Sequence, residues 1–269
     1  MSDNGLPPDA ELPASSPELN ASLQSPLNVP GDLQVPLQGS YRPRLLPADF
    51  TPPEQPLPLN GGGYGQLPDG RWLELPFLAL PDDFDTAIAY LAINQTSFEI
   101  EDVLSSAMAD MVRYLNPEVV VGMPTFGMVL AAPVAKKLGH QEYVPLGYSR
   151  KFWYQDELSE DVVSITSPGK PKQVFIDPRL LERLAGKRVL LVEDVISTGG
   201  TLAGELRLMK RIGANVVGIV TAVKETNVWQ KNLAALDSAY PALVHAPLAF
   251  PLFRKTPQGW MADAATAPD

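Results

Sequence analysis

The sequence predicts an α/β domain with a mostly parallel central sheet and helices on both faces. Three observations carry this. Apolar, β-branched runs at 119–121, 189–192 and 214–223 have the length and composition of strands buried on both faces. Stretches of helical spacing separate them, so strand and helix alternate. The middle run ends on two adjacent carboxylates, Glu193 and Asp194, then Val195, Ile196 and a small loop, Ser197-Thr198-Gly199-Gly200-Thr201. A helix over 202–212 follows. Ligand sites of such sheets lie beyond the carboxyl ends of the strands. Loop amides at a helix start favour a phosphate there, and Gly199 and Gly200 let the backbone come close to it.

Each element has its own reason, in chain order. Residues 1–60 hold 13 of the 28 prolines and few aromatics. Such a stretch buries too little apolar surface to offset its ordering entropy, so it reads as a disordered or draped arm. Its apolar clusters, as at 33–37, leave room for docking on a domain of about 61–262. Two extended runs, 64–67 and 71–75, flank Pro68-Asp69-Gly70 and predict a hairpin. Residues 84–92 read as helical, and so do 97–115. In the latter Ile100, Val103, Leu104, Ala107, Met111 and Leu115 recur at helical spacing, and Glu99 and Glu101 suit the helix dipole. The 119–121 strand runs into Gly122-Met123-Pro124-Thr125-Phe126-Gly127, and a helix follows to about residue 138. A strand at 142–146 leads to Tyr148, Arg150, Lys151, Phe152, Trp153 and Tyr154. A further hairpin pairs 162–166 with 173–177. Residues 180–184 make a short turn, 243–260 is an apolar, proline-bearing stretch, and 263–269 reads as a flexible tail.

Composition excludes several classes. The net charge of −10 argues against general nucleic-acid binding. With no cysteine there are no disulfides or thiolate zinc sites. His140 and His245 lack metal-ligand spacing. The longest apolar run, 119–135, is broken by Gly122, Pro124, Gly127 and Pro133 and is too short to span a membrane. The first residues resemble no signal or transit peptide, so a cytoplasmic protein is expected.

The carboxylates bound the ligand. Glu193 and Asp194 would repel a phosphate at contact range, so they face another part of it. Ionised carboxylates accept hydrogen bonds, and vicinal ribose hydroxyls fit. A ribose carrying a 5′-phosphate is the inference. The stretch 189–201 resembles the phosphoribosyl diphosphate (PRPP) signature of type I phosphoribosyltransferases: four apolar residues, two acids, two apolar residues and a Thr-Gly-Gly-Thr loop. The alternative phosphate motifs, G-x-x-x-x-G-K-[ST] and G-x-G-x-x-G, are absent. The plain alternative is a buried parallel strand with an ordinary turn.

The resemblance implies the type I phosphoribosyltransferase fold, with a small hood from 64–80 and 243–262. It implies that 197–201 binds the 5′-phosphate, and that Met123, Pro124, Thr125, Phe126 and Gly127 hold the pyrophosphate end, often through a strained non-proline peptide bond. It places Arg150 and Lys151 as cations on the leaving group, beside a mobile loop between the later strands. Phe152 and Trp153, with Val195, are candidates for the base; the alternative for Phe152-Trp153-Tyr154 is a dimer contact, since aromatics more often pack than bind ligand. The implied reaction joins a free nucleobase to PRPP with release of pyrophosphate. Magnesium arrives on the diphosphate without a dedicated protein cage. Serine at 197, where hypoxanthine-guanine relatives carry an aspartate, and the run from Val174 to Val189 favour the adenine and xanthine branch, adenine first. Orotate-type transfer and a non-catalytic PRPP-binding regulator remain the alternatives. A homodimer is expected.

Overall fold

The computed structural model describes residues 37–38, 42–53, 59, 61–163 and 172–268, all within a unit spanning Pro36–Asp269. Most of the proline-rich arm lies outside the described residues.

The strands are β1 (Leu37–Gln38), β2 (Arg44–Leu46), β3 (Gly62–Gln66), β4 (Trp72–Leu80), β5 (Asp83–Ala89), β6 (Val119–Gly122), β7 (Val144–Pro145), β8 (Ser159–Val162), β9 (Lys172–Phe175), β10 (Arg188–Ile196), β11 (Asn215–Glu225), β12 (Val244–His245), β13 (Leu248–Phe250), β14 (Phe253–Thr256) and β15 (Gly259–Ala262). The helices are α1 (Phe98–Val112), α2 (Gly127–Lys137), α3 (Leu181–Leu184), α4 (Gly200–Arg211) and α5 (Val228–Ala234).

The central sheet runs β12-β11-β10-β6-β7, with β13 also on β11, and all its pairings are parallel. Alternation along β10 decides which helix covers which face. Leu190 and Val192 join Val120 and Val220 under α1 and α2, against Leu104, Met108, Leu130 and Val134. Val189 and Leu191 join Val121 and Ile219 under α4, against Leu202, Leu206 and Met209. Helices therefore cover both faces, as the continuous apolar runs require. Ser97 caps α1 by accepting a hydrogen bond from the Ile100 amide. The stripe of α1 that faces the sheet carries Met108 and Val112 rather than Ala107 and Met111.

Leu190 has no exposed surface at the centre of the sheet. Leu190→Ala leaves a cavity between two helices and a sheet that collapse poorly, so a loss of about 2–5 kcal/mol is expected. A lower urea midpoint at unchanged slope checks it; an unchanged midpoint contradicts the packing described.

The hood is a second, antiparallel sheet, β1-β4-β5-β14-β15, with β2 and β3 also on β4. Its apolar face, including Leu73, Leu75, Phe77, Phe253 and Trp260, is continuous with the core under α1 and α2. It draws on more of the chain than the terminal hairpins expected. Much of the helix expected over 84–92 is instead strand β5, because pairing with β4 and β14 outweighs the local preference of an alanine-bearing stretch. The 142–146 strand shortens to Val144–Pro145. The expected boundary near residue 60 is also overstepped. β1 and β2 pair with β4, Arg44 bonds Glu74, and buried Leu59 bridges to Trp260. In the stretch 263–269, expected as a flexible tail, Ala264–Thr266 form a 3-10 turn. It is tied down by Asn227 Nδ2 to the Ala265 carbonyl at 2.9 Å and by the Leu252 amide to Thr266 Oγ1 at 2.8 Å.

The later hairpin forms as β8 with β9, displaced toward the N-terminus from the expected pairing. Its turn, 164–171, lies outside the described residues, so the expected mobile loop does too. β8 lies along α4. Gly204 permits this, since a Cβ there would stand 2.6 Å from the Asp161 carbonyl. Arg207 and Arg211 both bind Glu160.

Candidate functional site

A cavity of about 370 Å³ opens at the carboxyl ends of β10 and β11. That is where a parallel sheet leaves room for a ligand. The whole acidic stretch and loop, 193–201, lines it, as do Pro124, Thr125 and Phe126. The two strand–loop–helix units singled out in the sequence therefore meet in one place, because β6 and β10 are adjacent parallel strands.

The loop is shaped for an anion. Gly199, at φ +75°, precedes α4, in a region of backbone space that favours glycine. Asn232 Nδ2 donates to the Thr198 carbonyl at 2.8 Å, and Thr226 Oγ1 donates to the Ser197 carbonyl at 3.1 Å. With those carbonyls held by α5 and its preceding turn, the amides of 198–201 have no partner among the described residues. Unpaired amides at the start of a three-turn helix are the donors an anion needs. Val163 approaches from the hairpin. Its carbonyl accepts from Thr201 Oγ1 at 3.1 Å and lies 2.8 Å from where a Gly200 Cβ would stand.

The second loop packs against the acids. Met123 is buried beneath the cavity, its amide bonded to the Val192 carbonyl at 3.1 Å. A Cβ on Gly127 would stand 2.6 Å from that carbonyl and 2.8 Å from Glu193 Oε2. Glycine thus lets α2 begin directly against the acidic strand end. The Pro124–Thr125 peptide is cis.

The electrostatics are unusual. Burial, with Asp194 beside it, holds Glu193 well above the ordinary carboxylate range. Burial raises Asp194 as well. Glu193 Oε2 and Ser197 Oγ are buried with no hydrogen-bond partner among the described residues. Unpartnered polar atoms in a cavity are costly without a ligand, and a polyhydroxylated anion supplies both donors and acceptors.

Arg150, Lys151, Phe152 and Trp153 do not line this cavity. Arg150 is paired with Asp156 at 2.9 Å. Lys151 is exposed, and Phe152 is 93% exposed. Trp153 donates its indole N–H to Asp177 at 3.1 Å and lies under the Arg179 guanidinium. Other residues line the site instead: Ile88, Tyr90 and Leu91 from the hood, with Tyr148, Lys172 and Glu225. Two buried acids had a legible signal. Glu205 interrupts the apolar stripe of α4 formed by Leu202, Leu206 and Met209. Glu225 ends an apolar strand beside the acidic one. The hood residues had none, since their stretch looks helical in isolation. Tyr148 is held above its ordinary range by burial and by the Glu205 and Glu193 carboxyls.

The phosphoribosyl transferase domain family matches residues 91–238, more than half of the chain. The chain belongs to that family. It is similar to the adenine phosphoribosyltransferase of Parafrankia sp. (strain EAN1pec), at 33% identity over 131 residues. That match covers 46% of this chain and 64% of the relative, just under two thirds of its length. It is 31% identical over 145 residues to the adenine phosphoribosyltransferase of Streptomyces coelicolor, covering 54% of this chain and 73% of that protein. The fold matches the crystal structure of adenine phosphoribosyltransferase from Thermoanaerobacter pseudethanolicus. The TM-score is 0.51 at 17% identity, over 65% of this chain and 94% of the other. The structure of the Giardia lamblia enzyme complexed with 9-deazaadenine gives a TM-score of 0.51 at 17% identity, over 64% and 91%. The fold and the branch agree with the resemblance read from residues 189–201. Among the described residues no helix is long and apolar enough to cross a membrane, and no group of three or more ligating side chains is placed to hold a metal.

Proposed function

We propose that this protein transfers the phosphoribosyl group of magnesium-bound PRPP to a nucleobase, adenine first, releasing pyrophosphate. The observation that supports this most is the meeting of the acidic pair with an amide-lined helix start in one cavity. The family and the adenine relatives support it further. In this reading the amides and hydroxyls of 197–201 hold the 5′-phosphate. Glu193 and Asp194 accept from the ribose hydroxyls, and 123–127 frames the diphosphate end. The base lies toward the hood, between Val195, Phe126 and Leu91. As the C1′–oxygen bond opens, positive charge grows on the ribose, and fixed carboxylates beside it favour that state. Loop and hood supply positioning. Lys172 is the cation this cavity offers the leaving group. Magnesium enters as part of the substrate.

The test is pyrophosphate release with magnesium and PRPP against adenine, guanine, xanthine, hypoxanthine, orotate and uracil. Adenine is expected to give the largest kcat/KM. Turnover with orotate alone would reassign the base. No turnover with any base, with PRPP still raising the melting temperature, would leave a PRPP-binding regulator.

A further inference from the structure

Joining a neutral heterocycle to C1′ through a ring N–H leaves a proton to dispose of. The lone pair of the ring nitrogen forms the C1′–N bond. The C1′–O bond breaks, and its electron pair leaves with pyrophosphate. The N–H proton, now on a cationic ring, must pass to a base. The cavity offers few acceptors. Glu193 and Asp194 are engaged with the ribose in the reading above, on which this inference rests. Lys172 is a cation, and Tyr148 is a phenol held protonated by its surroundings. Ser197 is a hydroxyl.

One carboxyl remains. Glu225 is the last residue of β11, 2% exposed, and lines the cavity. The parallel register pairs Glu193 with Thr221 and Val195 with Val223. Two residues further along each chain segment stand Ser197, just past the end of β10, and Glu225, the last residue of β11. Thr226, next in the chain, donates to the Ser197 carbonyl, which fixes this juxtaposition. Glu225 therefore sits where the phosphate loop begins, within reach of the Asp194 charge. We propose that Glu225 is the acceptor of the nucleobase ring proton in the forward reaction, and its donor in the reverse.

The surroundings suit that role. Burial, and then the Asp194 charge, push the Glu225 carboxyl up to about 8, near the operating range where a general base works best. The groups acting on it are Asp194 from β10 and the Ser197 hydroxyl. Tyr90, Tyr148 and Lys172 line the same cavity. β13, paired beside it, brings the uncharged Leu248, Ala249 and Phe250. Lys224 stacks over Trp229 at 5.6 Å.

The experiment is the pH dependence of pyrophosphate release with adenine, from pH 6 to 9.5, for the parent, Glu225→Gln and Glu225→Asp. Melting temperature and the thermal shift by magnesium–PRPP are measured on each. The parent should rise through a midpoint near pH 8 to a plateau above about pH 9. Glu225→Gln should lose that limb and fall about a hundredfold or more at pH 8, while keeping its PRPP shift. Glu225→Asp should recover part of the limb. Any limb owed to ionisation of PRPP itself would persist in Glu225→Gln, and a persisting limb overturns the proposal. So does a parent profile flat over pH 6.5–9, which needs no variant at all. Glu225→Gln that melts normally and turns over like the parent overturns it and leaves the transferase intact. A parent that turns over no base overturns the transferase reading, and this role with it.

Discussion

Asp194→Asn should lower turnover with adenine by about ten- to a hundredfold while weakening magnesium–PRPP binding far less. Asp194 is 9% exposed at the end of β10 and lines the cavity. Asparagine keeps its shape and one acceptor oxygen but cannot carry charge. In the ground state the ribose hydroxyls need acceptors, and an amide oxygen serves. In the transition state the sugar carries positive charge, and only the carboxylate answers it. Interactions that strengthen between those states are the ones that speed chemistry. One charge-assisted contact is worth about 1.5–3 kcal/mol, and each 1.36 kcal/mol is tenfold in rate. The measurement pairs kcat with the dissociation constant for PRPP. A loss divided equally between them would mean that Asp194 only binds. A variant with full activity would remove it from the reaction.

What the sequence showed and what it hid follow from the range of the forces involved. The PRPP-type loop was legible because its parts are contiguous. Strand, acid pair, glycines and helix start lie within residues 189–201, and each has a local physical reason. The 123–127 loop was legible for the same reason. Its placement beside the first loop was implied by the resemblance, and the adjacency of β6 and β10 produces it. Of the hood, the hairpin of β3 and β4 was legible from its Pro-Asp-Gly turn, and β5 was not. Asp83–Ala89 has no helix-breaking residue, and only its cross-strand partners β4 and β14 make it a strand. Tyr90 and Leu91 reach the cavity through that pairing. Arg150 and Lys151 were assigned to the site by the resemblance, while the fold gives Arg150 a nearer carboxylate in Asp156. Glu205 and Glu225 were visible as acids in apolar settings. Their meaning depends on which face of α4 and which end of β11 the sheet turns inward.

The gathering of buried acids has a consequence for stability. Glu193 and Glu205 are both held well above the ordinary range, chiefly by burial, and Glu225 is pushed up to about 8. Both Glu205 oxygens lack a hydrogen-bond partner among the described residues. For each group the folded state binds its proton more tightly than the unfolded chain does. Stability from these protons is therefore complete below the unfolded value near 4.5 and is lost as pH rises through the folded values. A shift from 4.5 to about 8 is worth on the order of 5 kcal/mol as a ceiling, at 1.36 kcal/mol per unit. The carboxylates whose values are depressed, Asp69, Asp83, Glu118 and Asp177, run the opposite way. Their contribution is already complete above about pH 5, so it is constant over the window that matters. The ligand-free protein should therefore melt lower at pH 8.5 than at pH 5.5. At about 2–4 °C per kcal/mol, even a fraction of that ceiling moves the melting temperature by more than about 5 °C. The acids interact, so they titrate as a set. Glu205→Gln, which stays neutral throughout, should flatten the decline and melt higher than the parent at pH 8.5, with little difference at pH 5.5. A melting temperature constant within about 1 °C over that range, or a decline unchanged in Glu205→Gln, would mean that these carboxyls are hydrated and charged in the folded protein.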